Sequence, residues 1–188
     1  MIINSINNLK SGLKVTFKGE PFLVLSNEFV KPGKGQAFSR VTLRNLLTNK
    51  LIDKTFRSTD LLEEANIIDV NLLYLYKDNR QYIFMNEKCF EYIAVDRKIL
   101  GSNVKWLLEQ THYVVTLWNN NPISVCFNNF ISLKVVSLNI LVTGDRIHKS
   151  YQLATLSTGV IVKVPLFIKV NNVVKIDIRS GEYISRIQ

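Results

Sequence analysis

The sequence predicts an all-β protein made of three small barrels, and three observations support this prediction. Apolar and polar residues alternate along short runs in every third of the chain, which is typical of strands that bury one face. Turn-forming segments such as Gly19-Glu20-Pro21 and Asn119-Asn120-Asn121-Pro122 separate these runs. No long helix is predicted anywhere in the chain. Many short antiparallel strands without a long helix are typical of small barrels.

The first third, residues 1–64, contains the strongest hairpin signal of the chain. Two alternating runs, Phe22–Val30 and Ala37–Arg44, flank a segment rich in proline and glycine. In the second run, Ala37, Ser39, Val41 and Leu43 are expected on one face, with Phe38, Arg40, Thr42 and Arg44 on the other. A further strand is predicted at 51–56, and 58–64 is interpreted as a short turn or linker that ends this barrel.

The loop of this hairpin places one lysine between two glycines. Pro32 fixes its own φ, and Gly33 and Gly35 can adopt positive φ without steric cost. Lys34 is therefore expected at the tip, with no side chain on either neighbour to cover it. Lys34 could be an ordinary solvated turn lysine, and Arg40 and Arg44 could be ordinary solvated arginines or could line a track for phosphates.

The middle third, residues 65–127, predicts an oligonucleotide-binding-type barrel of about five strands with one short helix. Asp96 is expected to cap that helix and Gly101 to end it. The aromatic residues of this third could stack on nucleic acid bases, but core packing is the favoured interpretation because the segment carries no net charge. The predicted strands are 72–76, 81–85, 90–93, 113–118 and 123–126.

The last third, residues 128–188, has the same β-rich character without a visible internal repeat. Strands are predicted at 131–136, 160–168 and 173–178, and a mostly polar loop with basic residues at 142–150. This third is expected to form the C-terminal barrel.

Charge divides unevenly along the 188 residues. The net charge of +9 splits into +4 for 1–64, zero for 65–127 and +5 for 128–188. Basic surfaces attract nucleic acids or anionic membranes, and without a basic amphipathic helix RNA or DNA is the favoured partner. A basic protein without a polyanionic partner remains the alternative.

Several classes of protein are excluded. No run approaches the roughly 18 apolar residues of a membrane span, and no signal peptide is visible, so a cytoplasmic protein is expected. Cys89 and Cys126 form neither a disulfide framework nor a metal site. His112 and His148 are expected at the surface, and a lysine at a hairpin tip lacks the dry pocket that covalent catalysis needs. The sequence predicts neither an enzyme nor a metalloprotein.

The segment Lys31-Pro32-Gly33-Lys34-Gly35-Gln36-Ala37, followed by Phe38-Ser39-Arg40-Val41, resembles the modification loop of bacterial elongation factor P. Weaker resemblances to this family follow in the family's order. They are Thr55-Phe56-Arg57-Ser58-Thr59-Asp60, Thr116-Leu117-Trp118-Asn119, Ala154-Thr155-Leu156-Ser157-Thr158-Gly159 with Val162-Lys163-Val164-Pro165, and Arg179-Ser180-Gly181-Glu182-Tyr183.

The resemblance implies an SH3/KOW-like N-terminal barrel followed by two OB-type barrels, in an L shape comparable to a transfer RNA. It implies a monomer that binds the 70S ribosome between the peptidyl and exit sites, near ribosomal RNA and peptidyl tRNA. There it would stimulate peptide-bond formation and relieve stalling at consecutive prolines. It also implies that modifying enzymes extend Lys34, by β-lysylation in lineages with this loop, and that no other cofactor is needed.

The resemblance also assigns residues. Lys34 matches the modified residue, and Lys31, Pro32, Gly33, Gly35 and Gln36 form its loop. Gly144 and Asp145 match a loop that approaches the messenger, and Tyr183 and Arg186 match a segment that faces ribosomal RNA.

Four departures from the family pattern put the messenger-facing contacts in doubt. They are Arg146 for a small polar residue, the stretch 147–151, Gln152 for lysine and Asn171 for glycine.

Three alternatives remain open. A biotin or lipoate carrier shares the exposed lysine, but Gly-Lys-Gly differs from the Met-Lys-Met or Asp-Lys-Ala of such carriers. An RNA-binding β-barrel protein and an elongation factor P-like paralogue would both leave Lys34 unmodified.

Overall fold

The computed structural model is an all-β protein in the part of the chain that it describes, and the predicted fold class is confirmed. Its strands form three sheets, and the chain divides into two compact units, 1–70 with 115–124 and 71–114 with 125–188. The structure describes residues 3–6, 9–33, 35–139 and 151–187.

The N-terminal sheet has the order β1-β6-β2-β3-β4-β5. Its core is a cluster of apolar side chains that includes the fully buried Val15, Val24, Val41 and Leu43. Each lies in an alternating run, so the pleat directs it inward while its polar neighbours point outward. The strands are β1 (Ile3–Ser5), β2 (Lys14–Phe17), β3 (Glu20–Val30), β4 (Phe38–Asn45), β5 (Leu51–Arg57) and β6 (Leu61–Glu64).

The interpretation of 58–64 as a turn or linker is wrong for its second half. The carboxylate of Asp60 accepts a hydrogen bond from the backbone N–H of Arg57 (2.8 Å) and closes a tight turn. The chain then re-enters the sheet as β6, which pairs with both β1 and β2. Burial of Leu62 in the core explains why this acidic segment is a strand.

The middle sheet has the order β11-β10-β7-β8-β9. Asn119 and Asn120, both at positive φ (48° and 64°), form the two-residue turn between its last two strands, as expected for a twisted hairpin. Asp96 makes no side-chain capping hydrogen bond, so its predicted capping role is wrong. The elements are β7 (Ile67–Asp78), β8 (Gln81–Asn86), β9 (Glu91–Asp96), α1 (Arg97–Leu100), a 3-10 helix (Gly101–Trp106), β10 (Thr111–Trp118) and β11 (Asn121–Cys126).

Four aromatic residues of the middle segment form a buried cluster. The ring centroids of Tyr74 and Phe84 are 5.1 Å apart, and Phe84 meets Tyr113 edge-on at 6.2 Å. Tyr82 packs against Tyr74 at 6.2 Å. Burial raises the pKa of Tyr74 to about 12, because the phenolate would be poorly solvated there. The interpretation as core is confirmed for these four rings, but it is wrong for three other aromatic residues of the same segment, which are exposed: Tyr76, Phe90 and Tyr92.

The C-terminal sheet has the order β14-β13-β12-β15-β16, and its edge strands β14 and β16 approach each other, so that the sheet curls towards a barrel. Its core also contains Trp106, which is only 1% exposed although it comes from the 3-10 helix of the middle segment. The strands are β12 (Phe130–Asn139), β13 (Tyr151–Leu156), β14 (Ile161–Pro165), β15 (Val173–Asp177) and β16 (Glu182–Ile187).

Candidate functional site

The hairpin of β3 and β4 is formed as the sequence predicts. Its ladder runs from Phe22↔Asn45 to Val30↔Phe38, where the loop begins. Ser39, Val41 and Leu43 are buried, and Arg40 on the opposite face is exposed. The alternation therefore determines which face of β4 carries the arginines. The register of β3 with β4 is fixed because a shift by one residue would turn the apolar face away from the core.

The described residues of the loop lie at the surface. Lys31, Gly33, Gly35 and Gln36 are exposed, and Pro32 is half-buried. Gly35 has φ +115°, a backbone conformation that residues with a Cβ rarely adopt. Gly33 has open space around its Cβ direction. Lys34 itself lies outside the described residues.

Arg40 and Arg44 occupy different ends of β4. Arg40 is two residues from the last ladder pair, about 7 Å along a strand, whereas Arg44 is roughly 20 Å from it. Arg40 Nη1 lies 4.0 Å from Glu28 Oε2 across the hairpin, with both side chains largely exposed. Such an exposed pair contributes little and leaves Arg40 available to a phosphate. The structure thus brings Arg40, but not Arg44, to the loop.

Arg57 is a basic residue near the loop that sequence reasoning did not select. It ends β5 directly opposite Phe38, and Arg40 pairs with Thr55 two positions further along the same strand. Paired residues share a face, so Arg57 and the exposed Arg40 lie on the same face of the sheet. Only the register of β4 with β5 reveals this, and the sequence alone does not fix that register.

A β-bulge brings two predicted residues of β16 to one face. Tyr183 pairs with Ile176 and Arg186 pairs with Val174, with a register shift between them. In a regular strand a spacing of three would place them on opposite faces. Tyr183 packs on the barrel core and lines a groove of about 550 Å³, whereas Arg186 is exposed. Gly144 and Asp145, like Arg146 and His148, lie outside the described residues.

Two departures from the family pattern have a structural explanation. The buried Gln152 side chain donates to the carbonyls of Pro165 (3.2 Å), Leu166 (3.3 Å) and Ile168 (2.8 Å), as donors on a lysine ammonium also could. Asn171 has φ +72°, and asparagine tolerates this left-handed region better than most residues other than glycine. Both residues are therefore compatible with the backbone that surrounds them.

A turn at the end of β15 is fastened by a bidentate ion pair. Arg179 donates from Nε to Asp177 Oδ1 (3.1 Å) and from Nη2 to Oδ2 (2.7 Å). These hydrogen bonds from Arg179, together with its charge, lower the pKa of Asp177 to about 2. The turn leads directly into β16 and so helps to position Tyr183.

The described residues include no group of three or more His, Cys, Asp or Glu side chains that could hold a metal ion. His112 is half exposed and lies 2.7 Å from Glu87, as expected for a surface histidine. Cys89 and Cys126 are both exposed free thiols. None of the helices in the described part of the chain is long and apolar enough to cross a membrane.

Comparison with known proteins gives three consecutive family matches. They are the elongation factor P KOW-like domain over residues 5–62, the elongation factor P OB domain over 67–125 and the elongation factor P C-terminal region over 131–186. The chain belongs to the elongation factor P family. The elongation factor P of Buchnera aphidicola subsp. Acyrthosiphon pisum (strain APS) is 57% identical over 189 residues, with 100% of each chain covered.

Two solved structures resemble the fold. A translation initiation factor eIF-5A family protein from Naegleria fowleri has a TM-score of 0.57 at 16% identity, covering 67% of this chain and 96% of its own. Eukaryotic translation initiation factor 5A from Methanococcus jannaschii has a TM-score of 0.54 at 16% identity, covering 66% and 94%.

Membership settles the class of protein. Elongation factor P is a translation elongation factor rather than an enzyme, and it does not depend on a cofactor. The predicted KOW-like first domain and OB second domain are confirmed.

Proposed function

We propose that this elongation factor binds the 70S ribosome between the peptidyl and exit sites and relieves stalling at consecutive prolines. The observation that carries the proposal is the β3–β4 hairpin, whose exposed loop holds a lysine between two glycines in a chain of the elongation factor P family. A translation factor of this family works with the ribosome and transfer RNA, and an exposed loop is suited to reach into a confined site.

Lys34 is the working residue of the proposal. Modifying enzymes extend it with a β-lysyl group, and the longer cationic arm steadies the peptidyl tRNA in a phosphate-rich site. Proline is a rigid and poor substrate, so correct positioning raises the rate of peptide-bond formation without any protein group doing chemistry. The loop also contains Lys31 and Gln36. Pro32, Gly33 and Gly35 shape the loop that carries the arm, and the positive φ of Gly35 supports this role.

Other residues contact RNA in this proposal. Arg40 lies close enough to the loop to contact the same RNA as Lys34, and Arg44 would contact RNA further from the tip. Tyr183 and Arg186 face ribosomal RNA from one side of β16, and Gly144 and Asp145 approach the messenger. The factor acts in the cytoplasm as a monomer of three domains, 1–64, 65–127 and 128–188.

The test is peptide-bond synthesis through a run of prolines on purified ribosomes. We expect the natively purified protein to raise the rate and the Lys34→Ala variant to lose the effect. Lys50→Ala removes an exposed lysine of the same domain, in the turn after β4 and away from the loop, and serves as the matched control, with an expected rate close to that of the native protein. An unchanged rate with the native protein, or equal losses in both variants, would contradict the proposal.

Mass analysis of the Lys34 peptide from native cells separates the remaining alternatives. A β-lysyl adduct supports the proposal. An unmodified Lys34 favours an RNA-binding barrel protein or an elongation factor P-like paralogue, and a biotinyl or lipoyl adduct favours a carrier.

A further inference from the structure

The middle segment has a cleft with four cations among its eight described lining residues. Lys77 and Arg80 reach it from the end of β7 and the turn before β8, and Arg97 and Lys98 from α1. The cleft has a volume of about 690 Å³, and all four of these basic residues are exposed. Two chain segments separated by β8 and β9 thus direct their positive charge into one concave surface.

This clustering differs from the composition of the segment. Residues 65–127 carry six Lys or Arg and six Asp or Glu, so that the segment is neutral. Four of the six cations line the cleft, whereas Asp96 is the one carboxylate among its described lining residues. Other acids of the segment are engaged elsewhere: Asp69 lies 3.6 Å from Lys14, and Glu87 lies 2.7 Å from His112. The fold therefore places most of the positive charges of the segment on one surface, although the net charge of the segment is zero.

The cations of the cleft have no ion-pair partner among the residues that the structure describes. Within the described part of the chain, no carboxylate oxygen lies within 4.0 Å of a charged nitrogen of Lys77, Arg80, Arg97 or Lys98. Asp78 lines only an adjoining hollow, together with Asp96. Unpaired cations around a concave surface focus a positive potential that attracts polyanions.

We propose that this cleft binds the phosphodiester backbone of RNA, independently of base sequence. The choice of RNA as the polyanion rests on the function proposed above. Tyr82, the aromatic residue that lines the cleft, is 7% exposed, so its ring offers no platform for base stacking. Lysine and arginine contacts to phosphates position an RNA without reading its sequence. The central domain thereby supplies a further RNA contact, separate from those of the Lys34 loop and of β16.

The experiment measures binding of the full-length protein to purified 70S ribosomes over a series of salt concentrations. The test variant is Lys77→Gln with Lys98→Gln. The control, Lys88→Gln with Lys134→Gln, removes the same charge from exposed lysines of the same compact unit outside the cleft. Losing two phosphate contacts should make the slope of log affinity against log salt shallower by about 1.4–1.8 and lower the affinity roughly 25- to 60-fold at 0.1 M salt.

The outcomes decide separate questions. A shallower slope in the test variant alone supports the cleft, whereas equal slopes in test and control overturn it. If the wild-type protein does not bind ribosomes, the function proposed above fails.

In that case, whether the cleft binds RNA is tested by the changes in amide chemical shifts on addition of a short RNA duplex, inorganic phosphate or poly-glutamate. Shifts at residues 79–81 and 96–101 with the duplex support an RNA site. Shifts with free phosphate or poly-glutamate but not the duplex, or with no probe, overturn it.

Discussion

The two glycines that flank Lys34 are predicted to differ sharply in their tolerance of a side chain. Gly35 has φ +115°, well beyond the left-handed helical region near +57° in which other residues are sometimes found. A Cβ at Gly35 would lie 3.8 Å from Pro32 Cγ, an ordinary contact, so the cost of Gly35→Ala comes from the backbone rather than from a clash. Gly33 is not at positive φ, and a Cβ there would meet no atom within 4 Å.

The magnitude follows from the strained backbone. Holding alanine at such a φ costs about 1–3 kcal/mol, which corresponds to a roughly 5- to 150-fold lower population of the native loop. At a factor concentration below saturation, we expect the factor-dependent increase in the rate of synthesis through a proline run to fall by that factor in Gly35→Ala. Gly33→Ala should stay within about twofold of the native protein, because alanine at a compatible position mainly restricts the unfolded chain.

Controls make this comparison decisive. Mass analysis of the Lys34 peptide must show equal modification in both variants, so that a missing adduct is not mistaken for a displaced loop. Thermal unfolding should show that both variants are folded at the assay temperature, so that global unfolding is not mistaken for a displaced loop. The reasoning is refuted if Gly33→Ala and Gly35→Ala are equally impaired, or if Gly35→Ala is fully active.

Three further predictions concern the C-terminal barrel. Trp106→Ala should lower the free energy of unfolding by about 3–5 kcal/mol, because it empties the core of the C-terminal sheet, and a loss below about 1 kcal/mol in denaturant titration would contradict this. Gln152→Ala should cost about 1–3 kcal/mol by leaving three carbonyls without its amide, and Gln152→Lys should recover part of it in the same titration. Asp177 has a folded-state pKa lowered from 3.8 to about 2, so its stabilising contribution is complete above about pH 4 and is lost as the pH falls towards 2. Asp177→Asn should flatten the stability–pH curve over that range, and an unchanged curve would show that the ion pair with Arg179 is not responsible.

The sequence predicted features that depend on local patterns. Alternation in β4 located the buried Ser39, Val41 and Leu43 and the exposed Arg40, because a period of two is a property of the strand alone. The turn at Asn119 and Asn120 was likewise visible, since few residues adopt positive φ.

Features that depend on pairing between distant segments escaped prediction. The place of Arg57 beside the loop depends on the register of β4 with β5, and the shared face of Tyr183 and Arg186 depends on a bulge in β16. The cationic cleft requires the β7–β8 turn to meet α1, which a charge count cannot reveal. The strand β6 could not be recognised from its sequence, because it has two acidic residues and only one buried apolar residue, Leu62.

Trp106 gives the C-terminal barrel a dependence on the order of synthesis. During synthesis Trp106 is made before any of the strands that enclose its indole ring. Ile178, the last buried residue of its cluster, follows about 70 residues later. At a synthesis rate of roughly 5–20 residues per second this interval lasts about 4–14 s. During this time the large apolar ring cannot yet pack against its complete core. A gene fragment that encodes only residues 128–188 would produce a barrel that lacks Trp106, the largest buried side chain of its core. The last third is therefore not a module that recombination could transplant alone; it would have to be inherited together with the segment that carries the tryptophan.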